Sequence, residues 1–321
     1  MDSFSGKLAV VTGGGSGMGR ELVRQLAAQG CSVAACDVNA DAVAQTAALA
    51  REGAPPGVLV SDHACDVSAE AQVLRFRDEL LAAHASDHVD LVFSNAGIGG
   101  GGSFVNDRRE DWERTFAVDW WGVYYCARAF LPLLIASGDG VLVNTSSVNG
   151  FWATLGPGMP NSAYCAAKFA VKGFTEALIE DLRSNAPQVR VAVVMPGHVR
   201  TDIVANSMRA RGLLPVGEHL TENQRTMLAE LIRRGALPEG ASADELRQVL
   251  ENMNSDFRDR APLDAAGAAT IILDGVRSGA WRILVGQDAE RLDEFVRANT
   301  ETAYDYALLA SMAANAADRA G

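Results

Sequence analysis

Tyr164 and Lys168 lie four residues apart in an alanine-rich stretch that reads as helix, so phenol and ammonium share one face. A cation beside a phenol favours the phenolate and draws its pKa from about 10 toward neutrality. A tyrosine tuned in this way can exchange a proton with a substrate oxygen while hydride moves at the adjoining carbon. The Tyr-x-x-x-Lys spacing is common on plain surface helices, so the pair needs company. Ser146-Ser147 succeeds the β-branched run Val141 to Thr145, at the carboxyl edge where parallel sheets bind ligands. A hydroxyl there can hydrogen-bond the same substrate oxygen. Asn95-Ala96-Gly97 ends another run at that edge, and Pro196-Gly197-His198-Val199-Arg200-Thr201 comes after a third.

A hydride needs a carrier. Thr12-Gly13-Gly14-Gly15-Ser16-Gly17-Met18-Gly19 joins the first apolar run to a helical stretch. Glycines there permit a tight turn and let backbone approach a pyrophosphate, while the helix N-terminus offers free N–H groups and a positive dipole end. Asp37 ends the second run, 18 residues after Gly19. Its carboxylate can accept from ribose hydroxyls and would repel a 2′-phosphate. No basic residue adjoins it in sequence, and Ser16 occupies the loop position suited to a phosphate-reading cation. Both features point to NAD.

The elements that position these residues alternate. Leu8 to Val11, Ser32 to Cys36, a run beginning at Val58 to Val60, Val89 to Phe93, Val141 to Thr145, Val189 to Val194 and Ile283 to Val285 are short and β-branched, as in strands buried on both faces of a parallel sheet. Between them, 17–29, 41–51, 69–84, 109–135 and 162–183 have helical patterning. The expected fold is α/β: a Rossmann-type, doubly wound, seven-stranded parallel sheet with helices on both faces, one domain over residues 1–321. No strand pattern appears between Ala205 and Arg260, which reads as two or three short helices. Ser242 and Glu245 have capping-box spacing at the start of the clearest of them. Residues 203–262 are therefore an excursion from the sheet, and 287–321 a helical tail reaching about Ala314.

Composition narrows the partners. Apolar residues make up 48% of 321 and charged residues 21%, as in a globular protein, and the formal net charge is -12. An acidic chain repels phosphate backbones and anionic membrane surfaces, so neither nucleic acid nor membrane is an expected partner. No run approaches the length of a membrane span, and no signal-peptide pattern opens the chain, so the expected location is cytoplasmic. Cys31, Cys36, Cys65, Cys126 and Cys165 form no CxxC pair and read as reduced core thiols. His63 and Cys65 lack further ligands at metal spacing, so no metal is expected.

Taken in order, five motifs between about residues 5 and 202 resemble the short-chain dehydrogenase/reductase family. The resemblance implies a role for each. Gly13, Gly17 and Gly19, with Gly15, Ser16 and Met18 in the same loop, line the pyrophosphate; Asp37 reads the ribose; Asp66 and Val67 flank the adenine. Asn95, with Ala96 and Gly97, supports cofactor and central strand. Ser147 binds the substrate oxygen, Tyr164 is the acid/base, and Lys168 holds the nicotinamide ribose and tunes Tyr164. Pro196, Gly197, Val199 and Thr201 lie at the nicotinamide, Val199 and Thr201 at its carboxamide. The family's segment after the Pro-Gly motif covers the substrate. Met208, Leu213, Leu214, Met227 and Leu228 with Phe151, Trp152 and Leu155 would supply an apolar pocket, or else the segment is an extra helical layer or a subunit contact. The helix starting at Asp107 to Trp112 often meets a partner subunit in this family. Trp120, Trp121, Tyr124 and Tyr125 read as core or interface aromatics, and His198 as a solvated loop residue. A homodimer or homotetramer is expected.

Two departures stand out. Val118-Asp119-Trp120-Trp121-Gly122 carries Asp119 where the family has an asparagine linked, through its main-chain carbonyl, to a proton relay. Ser147 to Tyr164 spans 17 residues, longer than is usual in the family, with the excess in the glycine- and proline-rich stretch Phe151 to Asn161. The expected activity is NAD-dependent hydride exchange with a secondary alcohol or ketone. The alternatives are a catalytically weak NAD-binding regulatory protein of the same fold, and epimerisation or dehydration with tightly held NAD. Asp119 retains its carbonyl, so Asp119→Asn is expected to remain active; a well-folded, inactive Asp119→Asn in a turnover assay would overturn that expectation.

Overall fold

The β-branched runs pair into one sheet. A computed structural model describes residues 1–100, 102–156, 159–214, 219–233, 235–305 and 307. Strands β1 (Leu8–Thr12), β2 (Ser32–Asp37), β3 (Val60–Ala64), β4 (Leu91–Ser94), β5 (Gly140–Thr145) and β6 (Val189–Pro196) lie in one sheet with β9 (Arg282–Val285). The order is β3-β2-β1-β4-β5-β6-β9, every pair parallel. This is the expected seven-stranded, doubly wound sheet, and the direction of winding reverses between β1 and β4. The central strands β1, β4 and β5 are buried at every residue, as two covered faces require. β3 begins two residues after the apolar run at Val58. It is an edge strand that alternates Ser61, Asp62 and His63 with little apolar patterning, so the run marks its entry and not its body.

Helices cover both faces. α1 (Gly17–Ala28), α2 (Ala40–Gly53) and α10 (Ala265–Ser278) bury Leu22, Leu26, Val43 and Ile272 against one side. α3 (Glu70–His84), α5 (Gly122–Ala136) and α6 (Ser162–Asn185) bury Phe76, Leu80, Phe130 and Leu182 against the other. The stretch expected as a single helix from 109 to 135 is not uniform. α4 (Arg109–Phe116) and α5 are joined by a π-helical turn, Ala117–Trp121. The wider turn rotates α5 relative to α4, and such turns gather at functional sites. Here it carries Asp119. Gly122 leaves the turn against Val67, where an added Cβ would come within 2.7 Å of the valine side chain.

Beyond β6, a two-residue strand β7 (Val199–Arg200) pairs in parallel with β8 (Leu263–Asp264), a contact no apolar run announced. Three helices leave and return between them: α7 (Ile203–Ala210), α8 (Glu222–Arg233) and α9 (Ala243–Asp259). α9 opens with the expected capping box, Ser242 Oγ accepting the Glu245 N–H (3.2 Å) and the Glu245 carboxylate accepting the Ser242 N–H (2.7 Å). Met208, Leu213, Leu231, Leu237, Leu246 and Leu250 pack together as a small core of their own. The tail begins as α11 (Gln287–Ala298), capped at Asn299 and followed by turns through Tyr304. The expected helix end at Ala314 lies outside the described residues. Asp293 of α11 is clamped by Arg282 of β9 (2.9 Å) and Arg297 (2.9 Å), whose hydrogen bonds outweigh burial and hold its carboxyl below the usual range.

Because α7–α9 own a separate core, they can open without the sheet. Leu246→Ala is expected to cost about 2–5 kcal/mol in that core. Hydrogen exchange checks it: protection should fall across 203–259 and persist in β1, β4 and β5, whereas loss in both places would show one cooperative unit.

Candidate active site

The carboxyl edge between β1 and β4, where the winding reverses, is where doubly wound sheets hold ligands. Thr12 ends β1 there and stitches the two strands. Its Oγ1 accepts the N–H groups of Asn95 (3.0 Å) and Ala96 (3.0 Å), and its carbonyl accepts Asn95 Nδ2 (3.1 Å). Asn95 Oδ1 is buried without a partner among the described residues. The glycine loop folds tightly over this edge. Gly13 has φ +67°, and a Cβ there would stand 2.8 Å from the Ala96 Cα; one on Gly19 would strike the Gly13 carbonyl. Asp37 is locked beside the loop, its Oδ2 accepting from the Gly15 N–H (3.0 Å) and Oδ1 from the Asn39 N–H (2.9 Å). Ser16 is the N-cap of α1 but makes no side-chain cap, so the first turn keeps donors free. This cradle of small residues, open helix turn and adjacent carboxylate fits a dinucleotide.

The structure distributes the other expected cofactor residues unevenly. Val199 is buried, and Thr201 closes on Gly17, whose Cβ would come within 3.0 Å of the threonine methyl. Asp66 turns inward to Ser68, accepting its N–H (3.0 Å) and hydroxyl (2.7 Å), and pairs with Arg114 (3.0 Å). Burial pushes its carboxyl up, and the Ser68 and Arg114 contacts more than reverse that. Its side chain therefore builds the turn that presents Val67.

Ser147, Tyr164 and Lys168 converge beside Asp119. β5 delivers the serine pair, and the two hydroxyls divide the labour. Ser146 donates to the Lys168 carbonyl (2.8 Å), docking α6 on the strand end, and Ser147 accepts the Asn149 N–H (3.1 Å) and hydrogen-bonds the Tyr164 phenol. Lys168 is buried, with Nζ donating to the Thr145 carbonyl (3.1 Å), 5.4 Å from the centre of the Tyr164 ring and 4.0 Å from Asp119 Oδ1. Asp119 is fully buried; Oδ1 accepts the Ile98 N–H (2.8 Å), and Oδ2 has no hydrogen-bond partner among the described residues. Gly97 makes room, for a Cβ there would lie 2.9 Å from Asp119 Oδ1 and 3.3 Å from Lys168 Nζ.

These surroundings reverse the simple expectation for the tyrosine. Burial together with the Asp119 charge raises the Tyr164 phenol well above the ordinary value, although the Ser147 hydrogen bond pulls the other way. Burial likewise raises the Asp119 carboxyl to about 6, against the pull of Lys168 and the Ile98 amide. The Cys165 thiol is pushed up to about 11 by burial and stays neutral. All five cysteines are free and buried, and no group of three metal-ligating side chains occurs among the described residues.

Several residues of the site carried no signal in the sequence. Asn206 Nδ2 donates to Ser16 Oγ (3.0 Å) and Ser207 Oγ accepts the Gly99 N–H (2.7 Å), so α7 is tied to both cofactor loops. Asp288 Oδ2 accepts the His198 N–H (2.6 Å) and fixes the Pro196-Gly197 turn; a Cβ on Gly197 would strike the same carboxylate. His198 is held as well, Nε2 meeting the Phe257 carbonyl at 2.6 Å and the ring lying 4.3 Å from that of Phe257, so it is not a solvated loop residue. Arg20 reaches the loop from α1, donating to the Gly15 carbonyl (2.7 Å), Gln45 and Thr46. In the enlarged segment, Pro157 and Gly158 lie outside the described residues. The part before them is pinned by the C-terminal turn: Trp152 Nε1 donates to the Ala303 carbonyl (3.0 Å), and the Ala153 N–H to the Tyr304 hydroxyl (2.9 Å). Met208 and Leu213 are spent on the separate core of α7–α9, while Leu155 remains half-exposed. Trp120, Trp121, Tyr124 and Tyr125 form one aromatic cluster with Phe174.

Comparisons with known proteins agree with this geometry. A family model described as short chain dehydrogenase matches residues 7–212. The Mycobacterium tuberculosis protein SadH, named as a putative oxidoreductase, is 36% identical over 297 residues, covering 92% of each chain. A short chain dehydrogenase/reductase from Burkholderia phymatum, solved in complex with NAD, is 29% identical with a TM-score of 0.74, over 94% of this chain and 95% of that one. A metagenomic short-chain oxidoreductase solved with NADP is 31% identical with a TM-score of 0.54, over 64% of this chain and 91% of that one. The relatives thus include holders of either nicotinamide cofactor.

Asp119 makes a prediction that needs no substrate. A carboxyl raised to about 6 from an ordinary 3.8 contributes stability while it is protonated, and that contribution is lost as pH rises through about 6. Asp119→Asn keeps the shape and removes the charge. Its advantage over wild type in urea unfolding is expected to grow by about 2 kcal/mol between about pH 4 and pH 7.5. A difference that stays flat across that range would show that the buried carboxylate is not strained.

Proposed function

The chain belongs to the short chain dehydrogenase family, and on that premise we propose that it is an NAD-dependent oxidoreductase exchanging hydride with a secondary alcohol or ketone. The observation that carries the reading is the convergence of Ser147, Tyr164 and Lys168 at the sheet edge served by the glycine loop. The nicotinamide ring, when bound, supplies or accepts the hydride. The chain's own residues do the rest. Ser147 and Tyr164 present hydroxyls to the substrate oxygen; Tyr164 gives that oxygen a proton in reduction and takes one in oxidation. Lys168 would hold the nicotinamide ribose, with its charge kept off bulk water by burial. The Asp288-pinned turn at Pro196-Gly197 would support the nicotinamide, with Val199 and Thr201 at the carboxamide. α7, fastened through Asn206 and Ser207, excludes water from above.

NAD is favoured over NADP by Asp37, whose carboxylate stands beside the loop where a 2′-phosphate would meet its charge. Arg20, the nearby cation, is engaged with the Gly15 carbonyl, Gln45 and Thr46. A small apolar substrate is supported by the loop Phe151, Trp152 and Leu155. A cytoplasmic location is supported by the demand for a dissolved NAD pool. Trp121 of the aromatic cluster (42% exposed) and Phe169 (40% exposed) offer apolar surface for a homodimer or homotetramer. The second reading, an NAD-binding regulator with weak turnover, draws on Asp119 holding Tyr164 in its protonated form.

One panel separates the readings. Purified protein with NAD or NADP and a range of secondary alcohols and ketones is expected to turn over with NAD, monitored by absorbance of the reduced cofactor. Tyr164→Phe should lower kcat/KM by about 10²–10⁴-fold. NAD binding without turnover would favour the regulator; faster turnover with NADP would refute the role given to Asp37.

A further inference from the structure

Ser147, Tyr164, Lys168 and Asp119 gather one cation, one buried carboxylate and one phenol, the ammonium lying 5.4 Å from the centre of the Tyr164 ring. Lys168 Nζ has the Thr145 carbonyl at 3.1 Å and Asp119 Oδ1 at 4.0 Å. Asp119 has no exposed surface, and its second oxygen meets no donor among the described residues. Gly97 is the space that lets carboxylate and ammonium approach, since a Cβ would crowd both. The arrangement dictates the balance of charge. With Asp119 ionised and Tyr164 neutral, the site is balanced against Lys168. Removing the phenol proton then leaves a net negative charge in a dry site, which is costly. With a neutral side chain at 119, the phenolate would be balanced by Lys168 alone.

We propose that Asp119 is a positioning residue for charge: by occupying Lys168, its carboxylate keeps Tyr164 in the protonated, proton-donating form. The inference rests on the oxidoreductase reading above and adds to it a preference in how the site works. At neutral pH the site is set to give a proton to a ketone oxygen, and oxidation of an alcohol, which must begin from phenolate, needs more alkaline conditions. No catalyst moves the equilibrium of its reaction; Asp119 moves the pH at which each direction reaches half its rate. The groups that face Asp119 are few. α6 brings Lys168 and Tyr164, with Cys165 neutral behind them, and the β4 loop brings the Ile98 amide. Among the described residues, α4, α5 and β5 add no further charge to its surroundings; β5 contributes the Thr145 carbonyl to Lys168.

The test is the pH profile of kcat/KM in both directions, for wild type and Asp119→Asn, with an alcohol and ketone pair that the panel identifies. The rising limb of alcohol oxidation and the falling limb of ketone reduction should both move to lower pH by about one unit or more in the variant. Asp119→Ser, also neutral, should move them the same way. A residue that merely shapes the π turn would change the height of the profile and not its position. Limbs that stay in place, or move to higher pH, overturn the proposal. Phenolate absorbance of wild type minus Tyr164→Phe, and of Asp119→Asn minus the doubly substituted Asp119→Asn, Tyr164→Phe protein, reads the same shift without substrate. Ionisation is expected at lower pH in the variant, and an unshifted titration sinks the inference. A protein that turns nothing over would therefore sink the proposed function while this spectrum still judges Asp119.

Discussion

A lysine ammonium buried to 2% exposure at the end of β5 is the constraint around which the site is built. A charge removed from water must be compensated where it lies, or the fold ejects it. The Thr145 carbonyl supplies one partner, available because β5 has ended and that carbonyl has no further strand to serve. The Asp119 carboxylate supplies the counter-charge. To bring it there, the long helix between β4 and β5 must widen into a π turn, Gly97 must lack a side chain, and Ser146 must anchor α6 by the Lys168 carbonyl. Tyr164 then sits one helical turn away, beside Ser147.

The cofactor end obeys a different constraint, closeness of backbone. The β1 and β4 ends are stitched by Thr12 and Asn95, and the glycine loop is pressed against Ala96 with no space for a side chain. Polar side chains from distant parts of the chain then fix the loops around this cradle. Asn206 and Ser207 come from α7, Asp288 from α11, and the Ala303–Tyr304 turn holds the loop after Ser147. Excursion and tail are thus joined to the site by a few directed hydrogen bonds, while the apolar residues of α7–α9 are largely consumed by their own core. That division lets the excursion be stable and still separable from the sheet.

The sequence by itself determined the sheet, the winding and the cast of the site. Buried parallel strands need β-branched runs, the pyrophosphate turn needs glycines in a fixed context, and Tyr164 and Lys168 share a face by helical period alone. These are local rules, each written in adjacent residues. The sequence also flagged Asp119 as a departure, but could not say what the carboxylate would touch. Tertiary structure decided that, along with the upward displacement of Tyr164, which runs against the effect of a neighbouring lysine taken alone. It also decided that His198 is held by Phe257, that Asp66 serves a turn, and that Met208 and Leu213 face the separate core of α7–α9. The physical reason is common to all of them. Desolvation and Coulomb energy depend on which groups are brought within a few ångströms through space, and residues such as Asp119 and Lys168, or His198 and Asp288, are far apart along the chain. Periodicity has no reach over such distances; only the closed fold sets them.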